Sequence, residues 1–344
     1  METFIEYLKA IVFGLVEGLT EWLPVSSTGH MIILNEFFSV EKTQGKPFYD
    51  FFLYVIQFAA ILAVVIYFFK KLWPFGKKKS AATKRHIWRN WGNILIASVP
   101  AAVLGIILSN YVDQYLMNYL TVSVTLIVYG ILFLVIELYL HLKTQANKKR
   151  FHLEGEVSSI TNSEKDPYGI FRIHSVYKIM PQMALLIGLA EVLAIIPGTS
   201  RSGVTICMAL ILSIDRETAA EFSFFLAIPV MVGTSLFKGG QFIASGASIT
   251  GTQIGMLLTA CAVAFGISLL VTRGFLRFLR SNSFVGFGIY RIVLGIVLLV
   301  VYYAYIVNRD AATSALFQIE LMKDQNLFSP LLNAGFVQNA KALF

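Results

Sequence analysis

Long apolar runs recur along the whole of this chain, and they restrict what it can fold into more than any other feature. The runs 51–69, 121–142, 256–271 and 285–306 each approach the ~20 residues that an α-helix needs to cross hydrocarbon. No soluble domain of any size fits between them. Apolar residues fill 56% of the 344 positions and charged residues 14%, at a mean hydropathy of +0.69, whereas soluble domains carry roughly 25% charged residues. The class is therefore a membrane protein. The net charge of +8 would suit a nucleic-acid binder, but the basic residues stand in short blocks between apolar runs and read as topology signals. No nucleic-acid partner is expected. Cys207 and Cys261 both lie in apolar segments, where a free thiol behaves as a small hydrophobe, so neither a disulfide nor a metal cluster is implied. The start of the chain carries Glu2, Glu6, Glu17 and Glu21 and lacks the basic n-region of a secretory signal. It is expected to remain in the mature protein.

The apolar segments come in a repeated order. A first repeat at 1–142 holds a broken stretch at about 4–38 and spans near 48–69, 91–109 and 119–142. A polar loop at 143–180 follows, and a second repeat at 181–306 holds a broken stretch at about 181–214 and spans near 219–238, 251–271 and 285–306. A tail at 307–344 carries no span. Sliding the sequence by 174 positions lays GLVEGLTEWLPVSSTG (14–29) on GLAEVLAIIPGTSRSG (188–203), so that Gly14, Leu15, Glu17, Leu19, Ser26 and Gly29 meet Gly188, Leu189, Glu191, Leu193, Ser200 and Gly203. Glycine and leucine recur by chance in apolar sequence. Coincident glutamate and serine argue instead for internal duplication.

Both broken stretches carry Pro, Gly and Ser in the middle, and irregular backbone survives at membrane depth only where it is buried in protein or lines a polar cavity. Each is read as a re-entrant hairpin returning to its own side. Three crossings per half then invert the second half. The expected fold is an all-α polytopic membrane protein with an inverted-topology repeat, each half one re-entrant helical hairpin plus three transmembrane helices. That topology gathers 19 of the 28 lysines and arginines on one side, in the segments 70–89, 143–178, 216 and 273–280, and the positive-inside rule makes that side cytoplasmic. Both termini and the opening of the site are then expected on the outer face of a bacterial inner membrane, with the hairpin tips meeting near the midplane.

Ionisable groups inside a membrane are expensive and mark function, and Glu17, Glu21, His30, Glu191 and Arg201 all fall in the two broken stretches. Glu17 and Glu21 are four residues apart on one helical face, where like charges repel. A hard divalent cation, Mg²⁺ or Ca²⁺, would neutralise them and bridge a phosphate; a shared proton or an arginine partner would serve as well. Ser26, Ser27 and Thr28 lie after Pro24, and Ser200 and Ser202 after Pro197. Helices resuming at those points would aim free N–H groups at an anion, and Arg201 adds a guanidinium whose fork grips phosphate. Within such a composite site His30 is expected as proton-transfer group or nucleophile, with Ser27 as the competing nucleophile. Glu221 begins a span close to the second motif and is a candidate support.

EGLTEWLPVSSTGH at 17–30 and PGTSRSGVT at 197–205, together with EFSFFLAIP at 221–229, resemble the signatures of the bacterial undecaprenyl pyrophosphate phosphatases, also called the bacitracin-resistance family. The resemblance runs from the start to about residue 306. It implies hydrolysis of a C55 isoprenyl pyrophosphate to the monophosphate lipid carrier and inorganic phosphate, dependence on a divalent metal, a homodimer among membrane lipids, and an active site open to the outer face. Carried onto matching positions, it implies that Glu17 and Glu21 serve metal and pyrophosphate, Ser27 and His30 the chemical step, and Ser200, Arg201, Ser202 and Thr205 the phosphate. The loop at 143–178 and the tail after 307 depart from the compact family pattern. From the residues alone, the rival is a secondary transporter or lipid flippase, because inverted repeats with broken helices are a transporter signature.

Overall fold

The computed structural model describes residues 2–154 and 169–324, with side chains over 3–149 and 169–304. Among them helices dominate, and the one bridge pairs Ile173 with Ile214. Helix α1 (Glu2–Thr20) leads through a turn to α2 (Ser27–Phe38), and the short α3 (Val40–Gln44) joins it to α4 (Lys46–Tyr67). After α5 (Phe69–Leu72) come α6 (Ala81–Tyr111), a π-helical turn at Val112–Leu116, and α7 (Tyr119–Glu154). The second series is α8 (Pro181–Glu191), α9 (Arg201–Ile211), α10 (Arg216–Ala244), α11 (Gly251–Leu279) and α12 (Val285–Asp324). Six of these, α4, α6, α7, α10, α11 and α12, contain stretches long and apolar enough to cross a membrane. The protein is thus an all-helical, multi-pass membrane protein.

Each of the two broken stretches is a pair of short helices. The first breaks at Pro24 and the second at Pro197, where α8 ends in a single 3₁₀ turn (Val192–Ile195). A proline cannot extend the preceding ladder. In each case the next helix restarts from a serine with positive φ, Ser26 at 73° and Ser200 at 71°. Each of those serines caps its helix by accepting from the third residue on, Gly29 N and Gly203 N respectively.

Both hairpins pack across the chain through glycine, because two helices can close to backbone contact only where side chains are absent. Gly14 of α1 leaves no room for a Cβ beside the Ala260 carbonyl of α11, and a Cβ on Gly18 would fall 2.8 Å from the Ala264 carbonyl. Gly188 of α8 faces the Ala97 carbonyl of α6 in the same way. Gly130 of α7 and Gly288 of α12 cross on each other, a Cβ on either falling 2.8–3.0 Å from the other's carbonyl.

Two regions depart from the sequence reading. The segment read as a loop from residue 143 begins as helix, since α7 continues to Glu154; hydropathy falls at the membrane edge, but lysine and arginine are good helix formers. Its last part is tied down, with Arg172 N and Ile173 N donating to Ser213 O and Asp215 N to Ile173 O, while Val176 and Ile179 are buried. Residues 155–168 of that loop lie outside the described residues. So does the tail from 325 onward, whereas 307–324 continue α12.

Candidate active site

The site begins with the N-terminal turns of α2 and α9. In a helix the first four N–H groups lack intrahelical acceptors. The serine caps take Gly29 N and Gly203 N, which leaves the N–H groups of Ser27 and Thr28 on one helix, and of Arg201 and Ser202 on the other, as donors for an anion. Ser202 Oγ donates to Leu23 O (3.3 Å), so the second motif touches the turn of the first.

Arg201 joins the two motifs. Its Nη2 donates to Glu21 Oε1 at 3.1 Å and its Nη1 to Ser223 O of α10 at 3.0 Å. Glu21 Oε2 in turn accepts from Ser27 Oγ at 2.5 Å. Ser27, Glu21 and Arg201 therefore form a continuous chain from hydroxyl to carboxylate to guanidinium, contributed by both hairpins. Two of the five guanidinium N–H groups are used in this way, and the others stay available for a ligand. Glu21 has an arginine partner, one of the neutralising devices that the sequence left open.

A cavity of about 530 Å³ opens onto this chain. Glu21, Ser26, Ser27, Thr28, Glu191, Ser200, Arg201 and Ser202 line it, along with apolar residues of α6 and α10 such as Val99, Ile106 and Phe237. Glu191 is 2% exposed, and neither of its carboxylate oxygens has a partner; Glu17 Oε1 is likewise buried without one. These orphaned oxygens are the right donors for a hard divalent cation. The described residues contain no group of three or more His, Cys, Asp and Glu side chains that could hold a metal, so an all-protein cage is not what they offer. A divalent cation held by carboxylates such as these would need further oxygen ligands from outside the protein.

Four residues singled out from sequence do not line the cavity: Glu17, His30, Thr205 and Glu221. His30 is turned away: its Nδ1 lies 2.7 Å from Ser26 O and its Nε2 2.7 Å from Tyr290 OH, with the two rings stacked. A carbonyl only accepts, so Nδ1 carries the proton and Nε2 accepts from the tyrosine. The structure thus brings Ser27 to the cavity, while His30 does not line it and is bonded to the carbonyl of Ser26. Thr205 is buried in α9, donating to Arg201 O at 2.9 Å and sharing a hydrogen bond with Ser223 Oγ at 2.7 Å. Glu221 is engaged elsewhere, in an ion pair with Lys71 at 2.7 Å.

Arg291 was visible in the sequence as a charge inside a span, a functional signal in itself, but its partners were not. It is fully buried, and its guanidinium donates to Pro24 O (3.2 Å), Gly198 O (2.8 Å) and Thr199 O (2.9 Å). One side chain therefore ties the turns of both hairpins together. A further buried carboxylate, Glu137 of α7, pairs with Arg216 at 2.6 Å.

Fold and site together define a multi-pass membrane protein that gathers hydroxyls, carboxylates and a guanidinium around one cavity. The chain belongs to the BacA family: the family model described as bacitracin resistance protein BacA matches residues 10–297. Among its relatives, the undecaprenyl-diphosphatase 1 of Oenococcus oeni is 40% identical over 296 residues, covering 86% of this chain and 96% of its own. The undecaprenyl-diphosphatase of Lactococcus lactis subsp. lactis is 42% identical over 301 residues with the same coverage, and that of Enterococcus faecalis is 42% identical over 296, covering 86% and 97%.

Proposed function

We propose that this chain hydrolyses undecaprenyl pyrophosphate to undecaprenyl phosphate and inorganic phosphate, returning the lipid carrier for cell-wall synthesis. The observation that carries the reading is the Ser27–Glu21–Arg201 chain at the head of the cavity. Serine is a weak nucleophile unless a base stands beside it, and a base works best when a third group orients it.

In this mechanism the terminal phosphoryl group sits at the N-terminal turns of α2 and α9, held by their free N–H groups and by Arg201. Ser27 Oγ attacks the terminal phosphorus, its proton passes to Glu21, and the bond to the bridging oxygen breaks as undecaprenyl phosphate leaves. Water then attacks the phosphoserine, inorganic phosphate departs, and Glu21 returns the proton to Ser27. Phosphoryl transfer asks mainly for alignment and for stabilisation of charge on the equatorial oxygens, which helix N-termini and a guanidinium supply. His30 acts through Ser26 as a positioning residue. The family resemblance assigns Glu17 and Glu21 to Mg²⁺ or Ca²⁺; with Glu21 serving as base, Glu17, whose Oε1 is unpartnered, would be the carboxylate that holds the cation, which would neutralise charge on the pyrophosphate. Glu191, the second-half counterpart of Glu17, lines the cavity.

An inverted repeat is supported by the paired geometry: Ser26 and Ser200 share a positive φ and the same cap, and Gly14 and Gly188 both press on a span of the opposite half. With that repeat the lysine-rich segment 70–89 faces the cytoplasm and the cavity opens outward. The family resemblance adds a homodimer. The halves 1–142 and 181–306 remain the proposed repeat units. The same inverted repeat would suit a transporter or flippase, but a nucleophile already bonded to its base favours chemistry.

The test uses purified full-length protein in detergent with Mg²⁺ or Ca²⁺ and an isoprenyl pyrophosphate. Phosphate release is expected, with loss on chelation and a fall of about 10²- to 10³-fold for Arg201→Ala. Transport into sealed vesicles with no phosphate release would sink the enzyme reading.

A further inference from the structure

The cavity has a second cationic end that the chemistry above does not use. Lys238 lines it, and among the described lining residues it is the only cation besides Arg201. The two lie far apart. Arg201 is bonded to Ser223 of α10, and Lys238 stands 15 residues further along the same helix, about 22 Å at the α-helical rise. Exposure rises in the same direction: the Arg201 and Glu21 side chains are 12% and 6% exposed, those of Lys238 and Asp113 21% and 48%. Lys238 therefore marks the open end of the cavity and Arg201 its closed end.

At that mouth Lys238 Nζ donates to Asp113 Oδ2 at 2.8 Å and lies 5.7 Å from the centre of the Tyr54 ring. Asp113 and Tyr54 also line the cavity. The ion pair bridges two elements, α10 and the π-helical turn Val112–Leu116 that follows α6. A π-turn in an otherwise α-helical path is costly and tends to occur where function needs it. A lysine near a span end ordinarily snorkels to water; this one is three-quarters or more covered and points into the passage. Its partner is the more exposed of the two, so an incoming anion can compete with Asp113 for the ammonium.

We propose that Lys238 forms a second anion-binding station at the cavity mouth, taking a phosphate or pyrophosphate group in exchange for Asp113. This rests on the phosphatase reading, since it assigns a station to the same substrate or product. Two sources share the chemistry: the pyrophosphate head of the lipid on its way in, and inorganic phosphate on its way out. A rim charge of this kind acts on capture and release more than on the bond-breaking step.

Two substitutions separate the proposal from a plain structural strap. Lys238→Gln removes the cation, and Asp113→Asn removes its competitor while leaving the cation free. A strap loses the same bond in both variants and must respond in the same direction. The station responds in opposite directions: Lys238→Gln weakens anion capture about tenfold, the scale of one charge-assisted contact, and Asp113→Asn strengthens it. The readouts are KM for an isoprenyl pyrophosphate, the inhibition constant of inorganic phosphate, and inorganic phosphate binding followed by ³¹P line broadening in the detergent-solubilised protein. A shift in KM assigns the station to the lipid head, and a shift confined to the phosphate constants assigns it to the leaving product. Changes of the same sign in both variants, or no change in any constant, overturn the proposal. The line-broadening measurement needs no turnover, so a protein that binds phosphate through Lys238 but hydrolyses nothing would defeat the phosphatase reading and leave the station standing.

Discussion

Ser26 and Ser200 hold φ at 73° and 71°, a conformation that costs an L-residue roughly 1–3 kcal/mol and persists only where its surroundings over-determine it. Here the surroundings can be named. His30 Nδ1 donates to the Ser26 carbonyl, and Arg291 donates to the carbonyl of Thr199, which precedes Ser200. These contacts give His30 a role distinct from attack, and phosphoenzyme chemistry can check it. A phosphoserine survives acid and a phosphohistidine does not. Rapid acid quenching of turnover with terminally labelled substrate is expected to leave label on Ser27, and Ser27→Ala to remove both label and turnover, a loss of about 10³-fold or more. Label that disappears in acid yet survives alkali would instead assign the attack to His30. Arg291 has its own expectation. Arg291→Met leaves three buried carbonyls without their donor, each such loss costing roughly 1–3 kcal/mol, so thermal unfolding in detergent should shift well downward. Arg291→Lys, which keeps the charge but not the planar fork, should recover part of the stability and little of the activity.

The hairpins and the spans differ in how they can be read. Prolines 24 and 197, each followed by a hydroxyl-rich turn, announced both breaks, because a lost N–H and a run of small polar residues are local effects. Helix continuation past the membrane edge was not announced. α6 starts at Ala81 and α7 runs to Glu154, since hydropathy reports where hydrocarbon ends and says nothing about where backbone hydrogen bonding stops. The choice of packing partner was equally hidden. That α8 should lie on α6 through Gly188 follows from backbone clearance at one residue, and nothing local in the sequence carries it. Gly188→Leu should therefore prevent α8 from seating and sharply reduce the yield of monodisperse protein. Gly266→Ala in α11, where an added Cβ meets nothing within 4 Å, should be neutral or slightly stabilising by the glycine-to-alanine gain in a helix. Size-exclusion profiles of the two variants make the comparison, and equal profiles would remove close approach at Gly188 as a determinant of the fold.

Across the described molecule the two halves supply different parts of one centre: hydroxyl and carboxylate from the first, guanidinium from the second, with Arg291 holding the two turns together. If the repeat is inverted, as proposed, the two hairpins enter from opposite sides and an odd number of crossings separates them. Single cysteines placed in a Cys207→Ser, Cys261→Ser background read the orientation directly. Lys42→Cys lies between the first hairpin and its first span, and Ser245→Cys follows α10; both positions are exposed and both should react with a membrane-impermeant maleimide added to intact cells stripped of wall. Lys78→Cys, in the basic segment before α6, and Arg277→Cys, near the end of α11, are exposed as well, and should react only after the membrane is opened. Reaction of Lys42→Cys and Arg277→Cys from the same side would place an even number of crossings between them. No inverted repeat of three spans per half survives that count, and the composite site would then have to be rebuilt from hairpins entering by one face.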